Sequence, residues 1–143
     1  MTKPALISPE PPSEADLRQL SDGLTAHARE AGHPFGMTDH GFFLRDPDGR
    51  MEAGLHAIHA AGHGTYFVRL LWVAPERRGE GLGTRLLASA EAHARALGCS
   101  VLYLDTFDFQ GPDYYPRFGF EIFGRLDIPG TGLTRLYFVK RLS

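Results

Sequence analysis

Several kinds of sequence feature are scarce or absent in this chain, and each absence excludes a class of protein. Only one cysteine, Cys99, occurs among the 143 residues, so no internal disulfide can form, and we expect a cytoplasmic protein. No uninterrupted apolar run reaches membrane-spanning length, and the N-terminal residues lack the apolar stretch of a signal peptide. The 15 Lys and Arg residues are outnumbered by 17 Asp and Glu residues, which argues against a nucleic-acid partner.

Motifs for metal binding and for a cysteine nucleophile are also missing. Seven histidines occur, but none is arranged as H-E-x-x-H or in another paired-ligand spacing, so we expect no metal site. Cys99 stands between the end of a predicted helix and a predicted buried strand, with no obvious activating base. A small buried residue is therefore the favoured interpretation of this cysteine.

The most informative stretch that is present runs from Leu70 to Gly98. The apolar run Leu70–Val73 predicts a buried strand, which Pro75 ends because proline has no N–H to donate to a ladder. Glycines at 79, 81 and 83 follow, and apolar residues then recur at helical spacing up to a cap at Gly98. Because the first N–H groups of a helix are unpaired, we expect a phosphate or pyrophosphate at this turn.

The spacing of the glycines decides which phosphate motif this is. No lysine follows them, as a P-loop requires, and the third glycine of a dinucleotide fingerprint would fall on Thr84. The pattern that remains, Arg78-x-x-Gly81-x-Gly83, resembles the pyrophosphate-binding signature of the GNAT superfamily of acyl-CoA-dependent N-acyltransferases. The alternative is a tight turn whose glycines serve only steric needs.

A second segment strengthens the resemblance. Residues Tyr114–Glu121 read Tyr-Tyr-Pro-Arg-Phe-Gly-Phe-Glu, which is similar to the F-Y-x-x-x-G-F-E block that ends many small GNAT proteins. The two motifs occur in the expected order and separation, and the resemblance covers residues 42–142 well and the first forty residues only by helix placement. Pro116 departs from the pattern and predicts a short or irregular helix around Tyr115.

The whole chain is predicted to be one α+β domain, residues 1–143. Its predicted fold is GNAT-like, with a central, mixed and mostly antiparallel sheet of six to seven strands and helices on both faces. The two strands joined by the glycine turn and helix are expected to run parallel and to splay at a cofactor cleft. The predicted helices are Ser13 to Ala31, Leu82 to Leu97 and Gly111 to Phe118, and a loop is predicted at Phe35 to Thr38. The predicted strands are Gly41 to Arg45, Met51 to Ala60, Thr65 to Val73, Val101 to Leu104, Phe120 to Leu126 and Leu133 to Arg141. Residues Ala5 to Ile7 are a candidate edge strand.

The resemblance implies an N-acetyltransferase that moves an acetyl group from acetyl-CoA to a primary amine of a small molecule or peptide by direct attack. Tyr115 matches the family's tyrosine acid, and the backbone N–H of Val73 matches its oxyanion donor. Asp105 is a further candidate catalytic residue, since it follows the predicted parallel strand. The expected coenzyme-binding residues are Leu71, Trp72, Val73, Arg78, Gly79, Glu80, Gly81, Leu82, Gly83, Thr84, Gln110 and Tyr115.

The sequence leaves the general base and the acceptor open. Besides Asp105, the candidate bases are Asp108 and the pair Glu52 and His56, which share one face of a predicted strand. Acidic groups such as Asp39 would suit a cationic acceptor. A non-catalytic acyl-CoA-binding or sensing module on the same fold is the alternative function, and a homodimer is compatible with the family.

Overall fold

The computed structural model describes residues 6–142, which form two compact units, one ending at Phe35 and one beginning at Gly36. The first unit contains helix α1, Glu14–Glu30. Its N-cap is Ser13, whose Oγ accepts from the N–H of Asp16 at 3.0 Å, while the Asp16 carboxylate accepts from the N–H of Ser13 at 2.9 Å. This reciprocal capping box explains why the helix begins where the sequence predicts.

The second unit is a six-stranded sheet in the order β1-β2-β3-β4-β6-β5. Every neighbouring pair is antiparallel except β3 and β4, which run parallel. The mixed, mostly antiparallel sheet and its parallel pair are therefore confirmed. The strands are β1 Gly36–Arg45, β2 Met51–Ala61, β3 Thr65–Val73, β4 Val101–Phe107, β5 Glu121–Ile128 and β6 Leu133–Arg141.

Several strand boundaries differ from the sequence-based prediction, two of them by three residues or more. The predicted loop at Phe35 to Thr38 is wrong, since β1 begins at Gly36, where it pairs with the end of the long strand β2. Strand β4 continues to Phe107 because β6 pairs with its last residues. Both strands are longer than predicted because they pair with strands distant in sequence, and such pairing cannot be predicted from local strand propensity. Leu6 and Ile7 form no strand, and Ala5 lies outside the described residues.

Helix α2, Leu82–Ala96, packs its apolar stripe on one face of the sheet. Gly98, just past the helix, has φ +77° and forms the left-handed cap predicted from the sequence. Cys99 is buried next to it, and this burial raises the pKa of its thiol. The prediction of a small buried residue at this position is confirmed. The buried residues that α2 contributes are Leu82, Leu86, Leu87, Ala90 and Ala94.

A bulge in β3 opens the parallel pair. His56 of β2 lies opposite Leu70, but the next β2 residue lies opposite Val68, so Arg69 is an extra residue without a partner on β2. Pairing between β3 and β4 covers only Thr65–Val68 on the β3 side. Beyond the bulge the two strands are no longer paired with each other, which confirms the predicted splay.

The core also contains a titratable pair, Tyr66 and His93. The Tyr66 hydroxyl is fully buried and lies 2.9 Å from Nδ1 of His93. Burial raises the pKa of Tyr66 to about 12. Burial, and to a lesser degree the neighbouring His40, lowers the pKa of His93 below its ordinary value of 6.5. The imidazole of His93 is therefore favoured in its neutral form.

The depressed pKa of His93 predicts a pH-dependent stability. Since the unfolded chain binds this proton more readily than the folded chain, the free energy of unfolding falls as the pH drops through about 6.5. Replacing His93 with Gln, whose amide can still accept from Tyr66, should reduce the stability lost between pH 8 and pH 5 in urea denaturation. The exposed His27→Gln is the control, and an unchanged pH dependence in His93→Gln would contradict the assignment.

Candidate active site

The glycine turn before α2 adopts a backbone that only glycine adopts readily. Gly79 has φ +83° and Gly81, the N-cap of α2, has φ +78°. A side chain at either position would be strained even though a Cβ would meet no atom within 4 Å. The two glycines are therefore required by the path of the chain, quite apart from any ligand.

The same turn presents unpaired backbone donors. Over residues 6–142, none of the N–H groups from Gly79 to Thr84 donates a hydrogen bond to another part of the chain. They lie at the positive end of the α2 dipole, where an anion is favoured. A cavity of about 440 Å³ adjoins this turn, and its wall includes the end of β3, Tyr114 and Tyr115. The geometry is that of a phosphate cradle.

The two arginines before the turn differ in how much of their charge is free. Arg77 is paired with Glu52 and also donates from Nε to Glu80 at 2.9 Å. Arg78 donates from Nε to the carbonyl of Val73 at 3.1 Å, and it has no carboxylate partner among the described residues. Arg78 therefore keeps its charge for a ligand. Glu80 directs its carboxylate to Arg77, so only its backbone belongs to the cradle.

Tyr114 is a site residue that the sequence analysis overlooked. Its hydroxyl lies 2.9 Å from Oγ1 of Thr84, and a Cβ at Gly83 would come within 3.3 Å of that hydroxyl. Tyr114 thus packs on the first turn of α2, and the third glycine leaves room for it. The signal in the sequence was a tyrosine at a motif position where phenylalanine is usual.

Tyr115 lies where two cavities meet. It lines the cavity at the glycine turn and a second cavity of about 290 Å³ in the gap between β3 and β4, and both cavities also contact Leu71 and Gln110. Burial, with a smaller contribution from Tyr114, raises the pKa of Tyr115, so its hydroxyl is a neutral proton donor near pH 7. Tyr115 lies on a 3₁₀ helix, Pro112–Phe118, that contains Pro116. The short or irregular helix that Pro116 predicts around Tyr115 is therefore confirmed.

The side chain of Gln110 forms hydrogen bonds with the last residues of β4. Its Oε1 accepts from the N–H of Phe107 at 2.9 Å and from Oγ1 of Thr106 at 3.2 Å. The side chain therefore fixes the turn that forms one wall of both cavities. This positioning role was not readable from the motif.

The second cavity, which we call the splay cavity, is lined by side chains of both sheet faces. Val68 and Leu104 belong to the core beneath α2, whereas Arg69 and Leu70 are exposed. Asp105 lies within β4 rather than after it, and its carboxylate is paired with Nη2 of Arg135. The structure thus brings Asp105 to the cavity, as expected, but already neutralised by a cation.

The edge of β3 leaves backbone groups free toward this gap. The N–H of Ala74 donates to the carbonyl of Glu52 on β2 at 2.8 Å. Since backbone groups alternate in direction along a strand, the N–H groups of Val73 and Leu71 point away from β2, toward the gap. Trp72, whose side chain is 46% exposed, lies between them and lines the first cavity.

The candidate bases have different partners. Glu52 is held by Arg77, and Asp108 lies exposed in a 3₁₀ turn. Nε2 of His56 lies 2.7 Å from Oδ1 of Asp39, while Nδ1 has no hydrogen-bond partner within the described chain. His56 is the cross-strand neighbour of Leu70, which lines the splay cavity, but His56 itself does not line it.

Comparison with known proteins identifies the family. The model of the acetyltransferase (GNAT) family matches residues 5–120. The chain belongs to the GNAT acetyltransferase family. This is a family of acyltransferase enzymes that bind acetyl-CoA.

Individual GNAT relatives support the assignment. An acetyltransferase of Agrobacterium fabrum is 34% identical over 98 residues, which cover 68% of this chain and 70% of the relative. The blasticidin-S acetyltransferase of Streptomyces morookaense is 43% identical over 76 residues, which span 52% of this chain and only 56% of the relative. A crystal structure from Agrobacterium tumefaciens, of a protein named as an acetyltransferase, has a TM-score of 0.85 at 28% identity and covers 96% of this chain and 99% of its own.

Residues 6–142 contain no candidate for two other features, a membrane-spanning helix and a metal site. No helix there is long and apolar enough to cross a membrane. No group of three or more His, Cys, Asp or Glu side chains in this range is arranged to hold a metal ion.

The close approach of Tyr114 to Gly83 predicts a specific effect on coenzyme binding. Gly83→Ala should weaken acetyl-CoA binding about tenfold, roughly 1.4 kcal/mol, because the new methyl group displaces Tyr114 at the cavity wall. Adding Tyr114→Phe should restore most of the affinity by removing the hydroxyl that the methyl group meets. Calorimetric titration measures both. Gly23→Ala, in a helix position with free space, is the control, and equal affinities for the Gly83→Ala variant with and without Tyr114→Phe would contradict the contact.

Proposed function

We propose that the protein is an N-acetyltransferase that transfers an acetyl group from acetyl-CoA to a primary amine of a small molecule or peptide. The observation that carries the proposal is the meeting of two cavities at Tyr115, one beside an unpaired N–H cradle and one through the splayed sheet. A donor and an acceptor can thus approach the same point from opposite sides of the sheet. The single, buried Cys99 fits the cytoplasmic location that we propose with this function.

The coenzyme would bind with its pyrophosphate on the glycine turn. The N–H groups from Gly79 to Thr84 and the charge of Arg78 are the partners that phosphate oxygens require. The pantetheine arm would then follow β3, where the free N–H of Val73 and the free carbonyl of Leu71 pair with its amides. This course brings the thioester to Tyr115.

The reaction needs a stabilised oxyanion and a protonated leaving group. The amine nitrogen attacks the thioester carbonyl, and the free N–H of Leu71, on the wall shared by both cavities, supports the oxyanion that forms; Val73, the donor expected from the family resemblance, lines only the cavity at the glycine turn. The C–S bond then breaks as the neutral Tyr115 hydroxyl gives its proton to the departing thiolate, and the proton that the attacking nitrogen loses on forming the amide returns to Tyr115. The raised pKa of Tyr115 suits this role because it keeps the proton in place until the thiolate develops.

An acceptor ammonium must also lose a proton before it attacks. Asp105 and Glu52 are each paired with an arginine, so a carboxylate oxygen of each is already held by a guanidinium. We assign the proton to Nδ1 of His56, reached through water because His56 lies behind Leu70 and does not line the cavity, with Asp39 fixing the ring through Nε2. In this assignment Asp105 orients Arg135 instead of accepting the proton.

The name of the Streptomyces morookaense relative supports a small-molecule acceptor. That protein is named for acetylation of blasticidin S. A free amine on a molecule of that kind fits the splay cavity, whose volume is about 290 Å³. Binding of acetyl-CoA without transfer to any amine would instead indicate the non-catalytic, sensing module.

The phosphate cradle is tested by Arg78→Ala combined with Gly81→Glu. The wild type should bind acetyl-CoA at micromolar concentration, and the variant should bind at least tenfold more weakly because it loses a cation and gains an anion at the cradle. Calorimetric titration measures the affinity. Gly49→Glu places the same side chain at another glycine with positive φ, +86°, and should bind normally. Unchanged binding by the double variant would show that the turn does not hold the coenzyme.

The roles of Tyr115 and His56 are separated by a pH profile of kcat/KM. Tyr115→Phe should lower kcat by tenfold or more while leaving the acetyl-CoA affinity nearly unchanged. His56→Gln should lower kcat/KM about a hundredfold and remove the rise of kcat/KM with pH on the acid side, because it removes the base. A release assay for the free thiol of CoA gives both values. Loss of that acid limb in Asp105→Asn, with retention in His56→Gln, would transfer the role of base to Asp105.

A further inference from the structure

We propose that the acceptor carries an anionic group, a carboxylate or a phosphate, in addition to its amine, and that Arg69 and Arg135 bind that group. The inference rests on the proposed acetyltransferase function and names the class of its second substrate. It is carried by two arginines that line the splay cavity and still have unused donors.

Arg69 is present at this wall because of the bulge. As the extra residue of β3 it has no partner on β2, and its exposed side chain lines the splay cavity. It makes no hydrogen bond or ion pair within the described residues. A full positive charge therefore stands at the point where β3 leaves β4.

Arg135 approaches the same cavity from β6. Its guanidinium lies 5.1 Å from the centre of the Phe107 ring, and its Nη2 is paired with Asp105. Its Nε is buried and has no hydrogen-bond partner in the part of the chain that the structure describes. An unsatisfied buried N–H is destabilising, so an acceptor oxygen that reaches this position would be stabilising.

The charge balance of the cavity wall favours an anion. Its charged side chains are Arg69, Arg135 and Asp105, which sum to one positive charge. The carboxylates that would suit a cationic acceptor are not available to bind one in this cavity. Asp105 is paired with Arg135, Asp39 is paired with His56, and Asp108 does not line the cavity. A polyamine would therefore meet net repulsion here, whereas a carboxylate or phosphate would meet two guanidinium donors.

The phosphates of the coenzyme do not account for these donors. In the proposed pose they lie on the glycine turn, in the cavity that shares only Leu71, Gln110 and Tyr115 with the splay cavity. Only the uncharged pantetheine end reaches that shared wall. The anion at Arg69 and Arg135 must therefore come from the second substrate, with its amine directed toward Tyr115 and the thioester.

The test compares amines that differ only in the anionic group. The panel contains α-, β- and γ-amino acids, the carboxamide of each, aminoalkyl phosphates, and diamines of matched length. The free-thiol assay should give a kcat/KM at least tenfold higher for the anionic member of a pair than for its carboxamide or diamine. The carboxylate and phosphate arms show which anion is preferred.

Arginine variants connect that preference to the two side chains. Arg69→Gln should raise KM for the anionic amine about tenfold, with the kcat/KM for its carboxamide and the affinity for acetyl-CoA unchanged. Arg135→Gln is combined with Asp105→Asn, because the single change would leave a carboxylate without its partner. Arg50→Gln, an exposed arginine in the β1–β2 hairpin turn, should have no effect.

The outcomes separate this inference from the function on which it rests. Transfer that is as fast to carboxamides or diamines, or that Arg69→Gln does not change, would overturn the anionic acceptor and leave the acetyltransferase in place. Failure to acetylate any amine, with acetyl-CoA still bound, would overturn the proposed function and the inference with it.

Discussion

The loss of pairing between β3 and β4 is the constraint on which the site depends. The extra residue Arg69 changes the alternation of β3, so that Tyr66 and Val68 face α2 before the bulge and Leu71 and Val73 do so after it. Past this point β3 keeps its partner β2 on one side only. The freed edge supplies backbone donors, and the gap supplies space through the sheet. One inserted residue thus produces both the free edge and the gap that the proposed function assigns to the donor and to the acceptor.

A second constraint fixes the direction from which the donor enters. The glycine turn joins the end of β3 to α2, so the free N–H groups of the helix lie beside the free edge of the strand. Arg77 is neutralised by Glu52 and Glu80, while Arg78 is held by the carbonyl of Val73 with its charge unpaired. In the proposed binding mode, the anion, the amide arm and the reacting group of the coenzyme therefore lie in one line, which ends at Tyr115.

Local motifs predicted most of this arrangement, and tertiary partners decided the remainder. The capping box at Ser13, the strand–glycine–helix unit and the irregular helix at Pro116 each depend on residues close in sequence, and each was predictable. The ion pair of Asp105 with Arg135, the dyad of His56 with Asp39 and the bulge at Arg69 join residues far apart in the chain. Such pairings cannot be predicted from a local sequence pattern, so the net charge of the cavity wall is known only from the three-dimensional structure.

A crystal structure with coenzyme A bound tests the central claim most directly. The account predicts that the pyrophosphate lies on the N–H groups between Gly79 and Thr84. It also predicts that the thiol sulfur lies within hydrogen-bond distance of the Tyr115 hydroxyl, in the gap between β3 and β4. Phosphates bound at Arg69 and Arg135, or a sulfur remote from Tyr115, would contradict both the direction of the coenzyme and the site of transfer.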